Sequence, residues 1–303
     1  MKKETIKADL HYHGPIGFQP YWLKVQGYER KNLLREIADA CFKRKIGLCA
    51  ITSDEDEIPL NSIHDRFNWL KENYARALPH GYEYGLLGKN IAIVTRHTIK
   101  DSEELFLVSG QTVRTKEKGV TQTEGLTKKG MVDYLVVGTN QIPNHQPLEC
   151  TINLVHDRGL IGIAEHAFCT AHGGMGIKNL ERFLKYIDAV EGHNSQLILP
   201  FGKYGRGLNT QAQAWAELNR KNWIATSDGH RIEDAGISNF EFDAQLLDPS
   251  SEEKFVKSLG KIVKESEIKN NCHYENPVSW LSWTLKLAYG VRTGKDKMSI
   301  ECG

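Results

Sequence analysis

The stretch GLIGIA (residues 159–164) runs without one polar side chain and stops abruptly on Glu165 and His166. A strand covered on both faces, as in a parallel sheet between helices, has such a continuous apolar reading. Working outward, further short apolar runs occur at residues 6–10, 47–52, 91–94, 105–108, 134–137, 189–191 and 223–226. Segments of helical period lie between them at 30–44, 62–77, 177–186 and 210–221. Alternation of this kind predicts βαβ units and a largely parallel sheet, open or closed into a barrel. In a barrel of that type, side chains at the C-terminal strand ends converge on one opening, so the polar residues that follow the apolar runs are the functional candidates.

The chain has 303 residues, 40% of them hydrophobic and 25% charged, the composition of an ordinary globular protein. Barrels of this length are often one unit, so residues 1–248 are expected to form the barrel and 249–303 a C-terminal helical extension packed on it. In that extension Ser250 and Glu253 are spaced as a capping box. A later helical segment at 278–290 carries Trp280, Trp283, Leu285, Leu287 and Tyr289 and is expected to pack on the barrel.

Thirty-nine Lys and Arg against 38 Asp and Glu leave a net charge of +1, which provides no field recommending nucleic acid or an anionic membrane. The six cysteines are dispersed without a CxxC pair and read as reduced thiols. The N-terminal stretch lacks the apolar core of a signal peptide, and no stretch approaches the length of a membrane span; a cytoplasmic location is the expectation. Oligomeric state is not legible.

Three motifs carry chemistry. In Asp9-Leu10-His11-Tyr12-His13, two histidines two residues apart on an extended segment face one side and present both imidazoles to one ion. In Ser227-Asp228-Gly229-His230, after the apolar run WIAT, a carboxylate and an imidazole suit a cation such as zinc or manganese. The third is Glu165-His166. All three stand in the same place relative to a strand, which makes coincidence a poor explanation for the set.

In order, DLHYH, AITSDED, VSGQTV, GIAEHAF, AVEGHNS and ATSDGH resemble the motif series of the polymerase-and-histidinol-phosphatase (PHP) phosphoesterases over about residues 6–240. The resemblance implies a distorted (β/α)7 TIM-like barrel holding one to three divalent ions (zinc, manganese or iron) that activate water against a phosphoester. It assigns His11, His13, His166, Asp228 and His230 as metal ligands. Departures place Asp54 in a histidine slot, Gln111 in or next to the slot of a bridging glutamate, Asp133 in a further histidine slot and Phe18 where an aspartate is usual. Carboxylates are plausible replacement ligands, whereas a neutral amide bridges two cations poorly. Fewer ions or a weaker paired site are therefore expected.

Asp228 and His166 are also the expected catalytic residues. Lys203 and Arg206 lie in the glycine-rich stretch 201–209, just before the expected helix start, and form a candidate phosphate cradle. Glu191, His193 and Asn194 are expected to line the same mouth without being ligands. His172, in AHGGMG, is a candidate mobile acid, and His145 and His156 read as surface residues. The expected activity is hydrolysis of a small phosphorylated substrate or nucleotide. Its rivals are metal-assisted hydrolysis of another bond (amide, lactone or deamination) and a degenerate domain acting as a binding module.

Overall fold

The computed structural model describes residues 4–15, 27, 29–53, 65–74, 78–99, 101–116, 131–198 and 203–293. It is a mixed α/β fold built on one nearly closed, barrel-like sheet. The strands are β1 (Thr5–Tyr12), β2 (Ile46–Ser53), β3 (Tyr82–Leu86), β4 (Ile91–His97), β5 (Ser102–Lys116), β6 (Met131–Val137), β7 (Ile161–Ala164), β8 (Ala189–Asn194), β9 (Trp223–Thr226), β10 (Asn239–Asp243) and β11 (Lys269–Asn271). Their order is β11-β10-β1-β2-β5-β6-β7-β8-β9, with β4 on the side of β5 and β3 on β4. The helices are α1 (Leu33–Lys43), α2 (Arg66–Tyr74), α3 (Leu148–Asp157), α4 (Gly176–Arg182), α5 (Lys203–Leu218), α6 (Glu252–Glu265) and α7 (Pro277–Thr293).

The expectation of a largely parallel sheet is corrected to a mixed one. Parallel pairs join β1 to β2, β2 to β5, β7 to β8 and β8 to β9. The pairs β3–β4, β4–β5, β5–β6, β6–β7, β1–β10 and β10–β11 are antiparallel. Among the described residues no helix separates β3, β4 and β5, and short connections return the chain in the opposite direction.

The barrel comes close to closing where β1 and β9 end. Tyr12 bridges Gly229, the amide of Asp228 donates to His11 O at 2.7 Å, and His13 N donates to Gly229 O at 2.9 Å. Behind this seam Asp9, fully buried, accepts from the amides of His11 (3.3 Å), Ser227 (3.1 Å) and Gly236 (2.9 Å). One carboxylate thus ties the first strand to the loop after the last parallel one. Burial pushes its pKa up to about 6 against the pull of these donors.

Inward-facing Leu10, Leu48, Ala50, Val108, Leu135, Ile163 and Ile224 fill the barrel together with Phe255, Val256, Leu259, Ile262 and Val263 of α6. The spacing of those five is the apolar stripe of an amphipathic helix. Phe255 lies against Phe106, with ring centroids 5.1 Å apart, and Val256 against Gly138, so α6 covers the end opposite the one where β1, β2, β8 and β9 terminate. The chain after Asp248 therefore contributes to the barrel core, and β11 extends its sheet.

The cap of α6 falls one residue later than the spacing predicts. Asp248 Oδ1 holds Ser250 N at 3.0 Å in a turn, and Ser251 caps the helix by accepting from Lys254 N at 3.3 Å. Among the described residues no helix is long and apolar enough to cross a membrane.

Candidate metal centre

Two β-bulges aim the site. From Asp9 to Tyr12 the first strand advances three residues while β2 advances two, from Cys49 to Ile51. From Glu191 to His193 strand β8 advances two while β9 advances one, from Ile224 to Ala225. An extra residue re-aims the side chains that follow it. The first bulge turns His11 toward the barrel mouth although Leu10 already faces the interior; the second lies at Gly192, where a Cβ would come within 2.6 Å of the Trp223 ring.

His11 Nε2, His13 Nε2 and Asp228 Oδ1 meet there. The two nitrogens are 2.9 Å apart, and the carboxylate oxygen lies 3.4 Å from the first and 3.3 Å from the second. Donors bound tetrahedrally at the usual zinc distances are separated by about 3.3 Å, so a small shift would fit this trio to one ion. All three residues are buried or nearly so, and each is held from behind. His11 Nδ1 lies 2.7 Å from Glu191 Oε1, which fixes its tautomer with Nε2 as the donor atom.

Arg66 Nη1 donates to the carbonyls of His13 (3.0 Å) and Thr52 (3.1 Å) and lies 3.2 Å from His13 Nδ1, which is also 3.3 Å from Thr52 Oγ1. Asn194 Nδ2 donates to Asp228 Oδ2 at 2.9 Å and to Glu191 Oε2 at 3.1 Å. Burial opposes charge on His11, but Asp228, Glu191 and Glu165 outweigh it and hold the imidazole pKa well above its ordinary value. Burial likewise opposes the Asp228 carboxylate, yet His11, His13 and His230 keep it far below the usual range.

A second group adjoins the first. Asp133 on β6 and Glu165 and His166 after β7 bring ligand atoms within 4.8 Å of one another. His166 Nε2 lies 2.9 Å from Glu165 Oε1, which is itself 3.7 Å from His11 Nε2. Glu165 Oε2 and His166 Nδ1 are buried without a hydrogen-bond partner among the described residues, the condition a cation would relieve. Asp133 already pairs with Arg114, at 2.9 and 3.4 Å. His166 and Asp228 also have positive φ, +29° and +49°, a backbone state that non-glycine residues hold at a cost and that clusters at functional sites.

The other expected positions divide. His230 stands beside the trio, its ring 4.7 Å from that of His13 and 5.8 Å from Trp283 of α7. Its Nδ1–H donates to Asp228 O at 2.8 Å, so Nε2 carries the lone pair. Gln111 has a different job from a bridging ligand. Its Nε2 donates to Ile142 O at 2.9 Å and its Oε1 accepts from Ile142 N at 3.0 Å, clamping the loop after β6. Asp54 and Phe18 lie outside the described residues.

The glycine-rich stretch expected as a loop is helix from Lys203 onward. Gly205 sits so close to Leu197 that a Cβ would fall 2.1 Å from its carbonyl oxygen; glycine is there for contact, not for a turn. Arg206 is in the first turn of α5, its guanidinium 4.8 Å over the Tyr274 ring, which in turn lies 4.6 Å from the His193 ring. The side chain of Lys203 is outside the described residues.

Glu191, Thr52 and Arg66 belong to the site without having been expected to bind or hold its ligands. An acid inside the buried strand AVEGHN was the available signal for Glu191, because a buried carboxylate needs a partner.

Among solved structures the chain is similar to PsfC from Pseudomonas syringae PB-5123, whose crystal structure matches with a TM-score of 0.53 at 10% identity. The match covers 96% of this chain and 99% of that one, and it shows a shared fold alone. No protein-family model matches the chain, and no curated protein matches it.

Proposed function

We propose that this chain is a metal-dependent phosphoesterase of PHP type, with a TIM-like barrel, acting on a small phosphorylated compound or nucleotide. The observation that carries the reading is the meeting of His11, His13 and Asp228, drawn from opposite ends of the barrel sequence, with donor atoms within 4.8 Å of one another. The mixed imidazole and carboxylate set, together with the adjoining Asp133, Glu165 and His166, suits one or two ions of zinc, manganese or iron. A divalent cation bound there supplies an ionised water near neutral pH and neutralises phosphoryl oxygens.

The protein side of the chemistry is positional. Glu191 fixes the His11 tautomer, Asn194 orients the Asp228 carboxylate, and Trp283 beside His230 walls one side of the mouth. Arg206, stacked on Tyr274, carries a guanidinium whose edge can contact an anion.

The test is elemental analysis of protein purified without added metal, paired with turnover of p-nitrophenyl phosphate, a phosphodiester and an amide. Stoichiometric metal with turnover of a phosphoester is expected. A His11→Ala/Asp228→Asn double variant should lose both metal and turnover at an unchanged circular-dichroism spectrum. Metal-free wild-type protein, or full activity in the double variant, ends the reading; turnover of the amide alone moves it to another hydrolase class.

A further inference from the structure

Five imidazoles around the mouth have a ring nitrogen committed to the protein. His11 is held by Glu191, His13 by Thr52, His166 by Glu165, His193 by the carbonyl of His273 and His230 by that of Asp228. His172 differs. It is exposed, and its ring makes no hydrogen bond among the described residues.

Its loop is nevertheless built against the site. His172 N and Gly174 N both donate to Cys169 O, at 2.8 and 3.0 Å, and Gly173 O accepts from Asp133 N at 2.8 Å. At Gly173, with φ of +89°, a Cβ would lie 2.2 Å from Asp133 Oδ2, and at Gly174 one would lie 2.5 Å from His166 O. The two glycines let the loop rest directly on Asp133 and His166, which sets His172 at the rim above them. The electrostatics agree with that placement. Desolvation at the rim and the neighbouring His166 hold the His172 pKa below its ordinary value, while Asp228 and Asp133 pull it upward. A docked phosphate adds negative charge on the same side and favours the protonated ring.

We infer that His172 is the proton donor to the leaving group, and that the substrate is an alkyl phosphoester whose leaving oxygen needs that proton. The inference rests on the phosphoesterase reading. Water attacks phosphorus as the bond to the ester oxygen breaks; the electron pair of that bond stays on the oxygen, which takes the ring proton of His172. The proton lost by the attacking water goes to bulk solvent, and exposed His172 takes a replacement from the same source. A reacting group tied into the metal cluster could not recycle in this way, whereas a rim imidazole can.

The experiment compares glycerol phosphate, phenyl phosphate and p-nitrophenyl phosphate on wild-type, His172→Ala and His172→Asn proteins of equal metal content. p-Nitrophenolate leaves without a proton, and an alkoxide does not. Both variants should lose about 100-fold or more in kcat/KM on glycerol phosphate and less than about 3-fold on p-nitrophenyl phosphate, with phenyl phosphate between. Equal losses on all three, or none on any, overturn the role of His172 while leaving the phosphoesterase reading intact. A wild type that cleaves only the aryl esters overturns the alkyl substrate. Metal-loaded wild type inert to all three overturns this inference, and the phosphoesterase reading then falls only if the phosphodiester is not cleaved either.

Discussion

At the scale of single residues, the carboxylate that organises this centre is Glu191. Its Oε1 holds His11 Nδ1 and the hydroxyl of Thr226, and its Oε2 accepts from His166 N and from Asn194 Nδ2 at 3.1 Å. It touches both candidate groups while remaining behind them. Burial works against its charge, but His11 and His166 keep its pKa below the usual value. Replacement by glutamine keeps the shape and removes the charge that makes His11 a strong donor. Glu191→Gln is expected to weaken cation binding about 10- to 100-fold, measured by competition with a chelator, and an unchanged affinity would refute the orienting role. Individually, the motifs DLHYH and SDGH announced the candidate ligands His11, His13 and Asp228. Glu191 was legible only as an acid in an apolar strand, because nothing local says which ring it meets.

At the scale of elements, α5 shows how a glycine can mislead and inform at once. Gly205 and Gly207 read as loop residues, yet both lie inside Lys203–Leu218. The two make a matched experiment. Gly207 has open space around it, so Gly207→Ala should stabilise by about 0.5–1 kcal/mol from helix propensity alone. Gly205→Ala gains the same propensity but drives its Cβ to 2.1 Å from Leu197 O, a backbone atom that cannot step aside. A net loss of about 2 kcal/mol or more is expected in urea denaturation. Equal effects from both substitutions would show that close contact does not decide the helix start.

At the scale of the whole molecule, one guanidinium ties the turn after His230 to the segment that leads into α7. Arg231, next to His230, donates to Asp234 Oδ1 at 2.6 Å and to Glu275, which leads into α7. Two buried carboxylates compete for that guanidinium. Burial and Asp234 push the Glu275 pKa up to about 7 from 4.5, against the pull of Arg231. The folded state therefore binds this proton more tightly than the unfolded chain does. The resulting stabilisation is complete below about pH 4.5 and is lost as the pH rises through about 7. Glutamine at this position does not titrate. The urea midpoint of the wild type should thus fall relative to that of Glu275→Gln between pH 4.5 and 8. A difference independent of pH would mean that folding leaves the Glu275 pKa at its ordinary value.

What the sequence by itself determined is the presence of buried strands ending in ligand-type residues, because GLIGIA and WIAT place apolar runs, and KADL an alternating one, shortly before a His or Asp. Strand direction was a different matter. The long pair β5–β6 runs antiparallel, and β10 and β11 join the sheet by pairing with β1 and with each other, choices made by contacts far apart along the chain. The two bulges reverse the inside–outside alternation at the positions that matter most, before His11 and after Glu191. Side-chain parity in a strand is a local rule only while the register is unbroken, and the register is set by the neighbouring strand. Which residues could become ligands was therefore written in the chain, whereas which of them share one cavity was decided by the nearly closed sheet.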